Sequence, residues 1–120
     1  MSARNDSPID RLSRSHELTI TVTGRKSGRM ISIPVWFVID DGKLYLLPVQ
    51  GSDTQWYRNV LKKPSMHIKA GGTEAEVQAV PVNDATQVKS VVEKFREKYG
   101  ASDVKKYYSK FDVAVVAEVR

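Results

Sequence analysis

Residues 17–49, ELTITVTGRKSGRMISIPVWFVIDDGKLYLLPV, decide the fold of this chain. Apolar and polar side chains alternate through Leu18–Thr23, a pattern that predicts a half-buried β-strand. A more apolar run over Ile31–Ile39 and a third run over Lys43–Val49 predict two further strands. Three strands joined only by short turns indicate a mainly β domain rather than alternating strands and helices.

The two turns between these strands differ in character. Asp41-Gly42 follows an apolar run and is typical of a tight hairpin turn. Gly24–Arg29 is longer, contains two glycines and carries three cations. Pro34 lies inside the second predicted strand. Because proline cannot donate a hydrogen bond to a neighbouring strand, it indicates a sheet edge, a bulge or a sharp bend.

The rest of the chain adds helices and three more strands. Helices are predicted over 52–63, 84–99 and 102–110, and strands over 66–69, 74–81 and 112–119. About six strands with two to three helices predict an α+β, mainly β fold, in the form of a closed or split β-barrel. We expect a single domain over residues 15–120, preceded by a flexible polar arm at 1–14.

Composition excludes several classes of site. The 120-residue chain is 41% hydrophobic and 28% charged, as expected of one globular domain. It has no cysteine, which excludes disulfides, thiolate nucleophiles and cysteine-based metal sites. His16 and His67 are its only histidines and are expected at the surface, so no metal site is predicted.

The net charge of +5 arises from 19 basic and 14 acidic residues and favours an anionic partner. Since the cations are spread over several clusters, nucleic acid is not favoured, and contact with an anionic membrane surface stays open. The longest apolar run, Ile31–Ile39, is too short to span a bilayer. The N-terminus shows no apolar signal-peptide core, so we expect a cytoplasmic protein.

The basic turn is the first candidate site. Its glycines expose backbone N–H groups, and Arg25, Lys26 and Arg29 add charge-assisted donors for an oxyanion. Ser27 adds a hydroxyl donor. The turn is not a P-loop, because it lacks the Gly-Lys-Ser/Thr ending and is followed by a strand. The alternative is an ordinary solvated hairpin turn.

Aromatic residues near this turn form the second candidate site. Trp36, Trp56 and Tyr57 are suited to stacking on a planar ring, but such residues are also typical of a small barrel's core. Tyr107 and Tyr108, near the C-terminus, would either cap a pocket or cover the sheet.

Short motifs follow one another along residues 17–119: Thr23-Gly-Arg-Lys-Ser-Gly28, Pro34-Val-Trp-Phe37, Asp41-Gly42, Gly51-Ser-Asp53, Trp56-Tyr-Arg-Asn59, Pro64 and Phe95-Arg-x-Lys-Tyr-Gly100. In this order they resemble the deazaflavin-dependent nitroreductase family. That family has the split β-barrel fold of the pyridoxamine-phosphate-oxidase-like, FMN-binding-like proteins. The resemblance implies a reductase that binds coenzyme F420 and passes hydride to a quinone, a nitro compound or another unsaturated acceptor.

The resemblance also implies which residues form the site. Arg25, Lys26 and Ser27, with Arg29, would meet the phosphate or the oligoglutamate tail of the coenzyme. The residues implied around the deazaflavin ring are Pro34, Val35, Trp36, Leu47, Pro48, Val49, Trp56, Tyr57 and Asn59. The substrate-side candidates are Tyr99, Ser102, Tyr107 and Tyr108. No residue is assigned to catalysis, because the coenzyme supplies the hydride.

Other ligands stay open. Cations that the family carries near Ile31 and Gln50 are absent here, and Arg29 is the nearest to the first position. Because a shorter anionic tail needs fewer cations, FMN or another flavin or tetrapyrrole is the alternative ligand. A non-catalytic barrel that binds single-stranded nucleic acid is a third, less favoured hypothesis. The sequence identifies neither the electron acceptor nor the oligomeric state, and a homodimer is compatible with the predicted fold.

Overall fold

Two antiparallel four-stranded sheets and three helices make up residues 15–70 and 72–119, which a computed structural model describes. The predicted arm at 1–14 lies outside the described residues. The strands are β1 (Leu18–Thr23), β2 (Met30–Val35), β3 (Val38–Asp40), β4 (Lys43–Leu46), β5 (Ser65–Ala70), β6 (Thr73–Gln78), β7 (Val80–Val82) and β8 (Ala114–Glu118). The helices are α1 (Gln55–Lys62), α2 (Ala85–Tyr99) and α3 (Ala101–Tyr107), and a 3-10 turn, Gly51–Asp53, precedes α1.

The prediction of about six strands is wrong, since the described residues form eight. The run predicted as one strand over Ile31–Ile39 is divided between β2 and β3 by Trp36 and Phe37. The run predicted at 74–81 is divided between β6 and β7 by Ala79. At both places the chain leaves one sheet and enters the other, a change of direction that apolar alternation does not reveal.

The strand order shows how the sheets enclose a core. The first sheet runs β2-β1-β5-β6 and the second runs β3-β4-β8-β7. Because β2 leads into β3 and β6 leads into β7, a bent strand joins the sheets along each edge. The ladders of the described residues end at these edges, so the barrel is not closed. Pro34 lies on β2, an edge strand, as predicted.

The main core lies between the two sheets. Alternate side chains of β1, Leu18, Ile20 and Val22, are at most 2% exposed and pack against residues of β4, β5 and β8. Trp56 and Val60 of α1 belong to the same core. Burying each such side chain contributes about 1.5–3 kcal/mol relative to leaving it in water.

A second core lies between the helices and the outer face of the second sheet. Val88, Val91, Val92 and Phe95 recur at helical spacing on α2 and pack with Ala114 of β8. β8 is therefore buried on both faces, which explains the unbroken apolar run in its sequence. α2 and α3 together cover this face and bring the end of α3 beside the bend between β2 and β3.

Candidate functional site

An apolar cleft of about 480 Å³ opens beside the bend between β2 and β3. Its walls come from β2, the segment after β4, the start of α1 and the end of α3. The lining residues are Glu17, Ile33, Pro34, Val35, Trp36, Leu47, Val49, Thr54, Trp56, Tyr107 and Tyr108. Glu17 is the one charged side chain among the described residues of this lining, so the cleft suits a flat apolar group better than a polyanion.

The bend between β2 and β3 positions Trp36. Phe37 turns into the core and is 0% exposed, whereas Trp36 faces the cleft. The Phe37 backbone N–H donates to the Tyr99 hydroxyl at 3.0 Å, and the Phe37 carbonyl accepts from Lys98 Nζ at 2.9 Å. Two side chains of α2 thereby replace the sheet partners that the bend removes.

Trp36 also lies within a group of aromatic rings. It stacks on Tyr99 with ring centroids 4.1 Å apart and planes 7° apart. Tyr107 meets it edge-on at 5.5 Å, and His16 does so at 5.6 Å. The indole plane is therefore set by its neighbours before any ligand arrives.

A separate concavity of about 360 Å³, here called the basic cradle, is lined by Thr23, Gly24, Arg25, Lys26, Ser27, Gly28, Lys62 and Lys63. It combines the predicted basic turn with the C-terminal end of α1. Four of these residues are cations and none is acidic. This arrangement suits a phosphate or carboxylate group.

Arg25 connects the basic cradle to α1. Its guanidinium donates to Gln55 Oε1 and to Asn59 Oδ1, both at 2.8 Å, and its backbone N–H donates to Asn59 Oδ1 at 3.1 Å. Asn59 is only 5% exposed, so these bonds satisfy a buried acceptor. Gln55, the first residue of α1, lies between two residues of the cleft, Thr54 and Trp56. Arg25 therefore holds the cradle and the cleft in one fixed relation.

Within the turn, Gly24 and Ser27 serve the backbone. A Cβ on Gly24 would lie 3.0 Å from Ser27 Oγ and 3.1 Å from Ile31 Cδ1, so a side chain there would crowd the turn. The Ser27 hydroxyl accepts from the Arg29 backbone N–H at 3.1 Å, which shapes the turn and leaves its proton available to a ligand. Arg29 is exposed and does not line the basic cradle.

The structure separates the residues predicted for the site into three groups. Those in the cleft are Pro34, Val35, Trp36, Leu47, Val49, Trp56, Tyr107 and Tyr108, and those in the basic cradle are Arg25, Lys26 and Ser27. Those that line neither cavity are Arg29, Pro48, Tyr57, Asn59, Tyr99 and Ser102. Tyr57 is in the main core, and Ser102 is exposed on α3.

Several lining residues were absent from the prediction. Lys62 and Lys63 belong to a cation cluster that is visible in the sequence, but only the position of α1 against the turn shows where their charges lie. Ile33, Thr54 and Glu17 carried no sequence signal for a site. Their places in the cleft depend on how β2, α1 and the segment before β1 meet.

The tyrosines near Trp36 are poor acids. Burial raises the pKa of Tyr99 to about 12, despite the hydrogen bond with the Phe37 backbone. Burial also raises the pKa of Tyr108, and the neighbouring Tyr99 adds to that rise. At neutral pH both phenols therefore remain protonated and act as hydrogen-bond donors rather than as bases.

A network of polar residues supports the wall of the cleft at Val49 and Thr54. Asp112 accepts from the Ser52 backbone N–H at 2.9 Å and from the Ser52 hydroxyl at 2.6 Å. Lys110 bonds Asp53, and Arg58 bonds the same carboxylate from α1. The network joins the segment after β4 to the segment before β8.

Metal ligands and membrane spans are not found in the described residues. Within residues 15–70 and 72–119, no three histidine, aspartate or glutamate side chains are grouped as a metal ion would require. None of the helices in this part of the chain has the length and apolar character needed to cross a membrane.

Comparison with known proteins gives a family and a shared fold. The model of a family described as "Uncharacterized protein conserved in bacteria (DUF2255)" matches residues 8–117. No curated protein matches the chain at a significant level.

Three solved structures share the fold at low sequence identity. An F420-H2 dependent reductase is 20% identical with a TM-score of 0.67, over 86% of this chain and 94% of the other. A structure described as a domain-swapped dimer is 20% identical with a TM-score of 0.68, over 86% and 80% of the two chains. The heme storage protein HutZ of Vibrio cholerae is 14% identical with a TM-score of 0.70, over 93% and 87%.

Proposed function

Since this chain belongs to the DUF2255 family, whose description names no activity, we propose its function from the site: it is a reductase that uses the deazaflavin coenzyme F420. The observation that carries the proposal is a pair of adjoining sites of opposite character. The apolar cleft lies on one side of the Arg25–Gln55 contact, and the basic cradle, whose charged residues are all cations, lies on the other. Coenzyme F420 has the matching parts, a planar tricycle and an anionic tail.

The residues present fit the two parts of the coenzyme. The cleft offers Trp36 and Trp56 as aromatic surfaces, with Pro34, Val35 and Leu47 as apolar walls. Lys26, Lys62 and Lys63 of the basic cradle would neutralise the tail as point charges. Because the Arg25 guanidinium is already bonded to α1, its main role is to hold the cradle in place, although its charge still favours an anion.

When bound, the reduced coenzyme supplies the hydride, and the protein supplies orientation and a dry site. Tyr108 is 5% exposed and closes the inner end of the cleft, whereas Tyr107 is 51% exposed at its mouth. An acceptor would enter past Tyr107. The Tyr108 phenol, whose pKa burial raises, can donate a hydrogen bond to an acceptor oxygen.

The similarity to an F420-H2 dependent reductase supports this proposal, and the similarity to HutZ favours a second candidate ligand, heme. The observation behind the second candidate is the His16 ring, which lies edge-on to Trp36 at the cleft. FMN is a third ligand that the cleft and a smaller number of cations would suit. The domain-swapped dimer of the same fold supports a homodimer for this chain, an assembly with which the predicted fold is compatible.

A fluorescence titration separates these ligands. The chain has two tryptophans, and both line the cleft, so intrinsic fluorescence reports its occupancy. We expect saturable quenching by coenzyme F420 at physiological salt, with weaker or no response to FMN, hemin and a single-stranded oligonucleotide. Tighter binding of hemin or FMN than of F420 would overturn the proposal in favour of that ligand.

Substitution of Lys26 tests the basic cradle. Lys26→Ala removes an exposed charge with no described hydrogen bond, so we expect weaker F420 binding with the free energy of unfolding changed by less than about 0.5 kcal/mol. The loss should shrink as salt is added, because exposed charges are screened.

Two further variants complete the test of the cradle. Lys89→Ala is the matched control, since Lys89 is exposed on α2 and lines neither cavity. Arg25→Ala should lower stability as well as binding, because it removes three hydrogen bonds that the guanidinium donates to Gln55 and Asn59 of α1. Equal F420 affinity in wild type and Lys26→Ala would show that the tail binds elsewhere.

A further inference from the structure

α2 ends in two residues, Lys98 and Tyr99, that touch the bend beside the cleft but line neither cavity. Both belong to a sequence motif, Phe95–Gly100, that the proposed function leaves without a role. Their contacts converge on Phe37, the residue that follows Trp36.

Tyr99 acts on the bend with both its ring and its hydroxyl. The ring lies parallel to Trp36 at 4.1 Å and so forms the far side of the indole stack. The hydroxyl accepts from the Phe37 N–H at 3.0 Å and lies 2.9 Å from the Phe37 carbonyl and 2.7 Å from the His16 carbonyl. One side chain thus ties the bend, the segment before β1 and the indole together.

Lys98 bonds the backbone of the same residue, Phe37, at its carbonyl. Its Nζ donates to the Phe37 carbonyl at 2.9 Å and lies 3.7 Å from the centre of the Phe37 ring. Burial lowers the pKa of Lys98 to about 8. Among the described residues, no carboxylate forms an ion pair with Lys98. A partly buried lysine without a carboxylate costs folding free energy, and such groups concentrate at functional sites.

We propose that Lys98 and Tyr99 are positioning residues that fix the plane of Trp36 in the cleft. The pair clamps the Phe37 peptide, and Tyr99 backs the indole, so the face of Trp36 that points into the cleft is preset. The part of this proposal that concerns coenzyme affinity rests on the proposed function. The part that concerns the orientation of Trp36 does not.

The test uses Trp36 as its own reporter, in a Trp56→Phe background where it is the remaining tryptophan. Acrylamide quenching and near-ultraviolet circular dichroism are measured on the coenzyme-free protein carrying Lys98→Met, Tyr99→Phe or Tyr99→Leu. We expect faster quenching and a weaker dichroic signal in all three, largest for Tyr99→Leu, which removes the stack. Unchanged signals in Lys98→Met and Tyr99→Phe would overturn the proposal.

Lys94→Met is the matched control. Lys94 lies one helical turn earlier on α2, bonds Asp40 at 2.6 Å and sits 5.2 Å from the centre of the Tyr45 ring, away from the cleft lining. It should leave the Trp36 signals unchanged. If Lys94→Met alters them as much as Lys98→Met does, the effect is general loosening of α2 and the clamp is wrong.

In Lys98→Met, coenzyme affinity should fall without a loss of folding stability. With Trp56 restored, Lys98→Met and Tyr99→Leu should weaken F420 binding about two- to tenfold, the range expected for loss of one aromatic arrangement. Lys98→Met should nevertheless unfold at no lower denaturant concentration than wild type near neutral pH, because the partly buried charge that it removes costs folding free energy. A variant that loses stability and keeps full affinity would mark Lys98 as merely structural and overturn its positioning role.

A pH profile of Trp36 emission gives a further readout. Wild type should show a transition near pH 8 that is absent from Lys98→Met and from Lys98→Arg, while Lys98→Arg should keep the affinity. The other titratable groups around Trp36 are His16 and Glu17 before β1, Tyr99 on α2, and Tyr107 and Tyr108 at the end of α3. His16→Gln identifies any share due to the imidazole, and a transition that persists in Lys98→Met would contradict the assignment.

The two proposals fail separately. If the wild-type protein does not bind F420, the proposed function is wrong, and the Trp36 measurements on coenzyme-free protein still decide the clamp. If F420 binds but the Trp36 signals are the same in wild type and in the Lys98 and Tyr99 variants, the proposed positioning role is wrong and the proposed function stands.

Discussion

At Gly51 the Asp112 carboxylate occupies the space of a side chain. The residue has φ 56°, and a Cβ there would lie 2.1 Å from Asp112 Oδ1 and 2.9 Å from Lys110 Cγ. Only glycine combines this left-handed backbone with so close an approach. The turn after β4 and the segment before β8 can therefore lie against each other and support the cleft wall at Val49.

Comparison of Gly51→Ala with Gly72→Ala separates the cost of the left-handed backbone from the cost of the close contact with Asp112. Gly72 has φ 83° with nothing within 4 Å of a built Cβ, so its substitution should cost only the backbone term, about 1–2 kcal/mol. Gly51→Ala should cost about 1–3 kcal/mol more, because it also displaces Asp112. Urea unfolding of both variants measures the difference between their free energies of unfolding. Equal losses of stability would show that Asp112 moves aside at no cost in free energy.

At the scale of elements, the β5–β6 hairpin carries an ionic cluster on its outer face. His67 lies opposite Glu76 in the register, and its ring nitrogens lie 2.7 Å from Glu76 Oε2 and 2.8 Å from Glu74 Oε1. The hydrogen bond to Glu76 is the larger cause, and the one to Glu74 the next, of a raised pKa at His67. His67 thus lies on the outer face of its strand, in agreement with the prediction that it is at the surface.

The His67 cluster predicts a pH dependence of stability. Because the folded-state pKa is raised, the stabilisation is fully present below the unfolded-state value of about 6.5 and is lost as pH rises through the folded value. His67→Gln should therefore narrow the difference in urea midpoint between about pH 6 and about pH 9.

His16→Gln is the control for this measurement, since it removes the other histidine and leaves the hairpin intact. It should keep the pH difference that His67→Gln removes. The assignment to His67 would be wrong if both variants behaved like wild type, or if His16→Gln alone removed the difference.

At the scale of the whole molecule, two cores share the second sheet. β8 contributes Val115 and Ala117 to the main core and Ala114 to the core under the helices. Trp56 belongs to the first core, and Trp36 packs against the second. Since one strand is buried in both, neither core can lose its packing without exposing the other.

Phe95→Ala tests this coupling. Phe95 is 0% exposed in the second core, so its truncation should lower the free energy of unfolding by about 3–5 kcal/mol. Tryptophan fluorescence and far-ultraviolet circular dichroism should still report one coincident transition at a lower denaturant concentration. Loss of the helical signal before the tryptophan signal would show that the helices unfold apart from the sheets.

Much of the architecture follows from local pattern. Alternation predicts β1 and β5, apolar runs predict β4 and β8, helical spacing predicts α2, and Pro34 indicates an edge, a bulge or a sharp bend in β2. The two strand divisions, at Trp36–Phe37 and at Ala79, escaped prediction. A strand that changes sheets keeps its apolar alternation, and its bend depends on partners such as Tyr99 that lie 62 residues away in the chain.

The candidate site, too, was predictable from the sequence only in part. By itself, the sequence determined that a basic glycine-containing turn, two tryptophans and C-terminal tyrosines are available to a ligand, because these depend on residue type and local spacing. Only the tertiary structure decided that Arg25 bonds Asn59 across 34 residues, that Lys62 and Lys63 complete the basic cradle, and that Tyr99 backs Trp36. Such roles are set by which surfaces meet when the sheets and helices pack, and spacing along the chain carries no record of those distances.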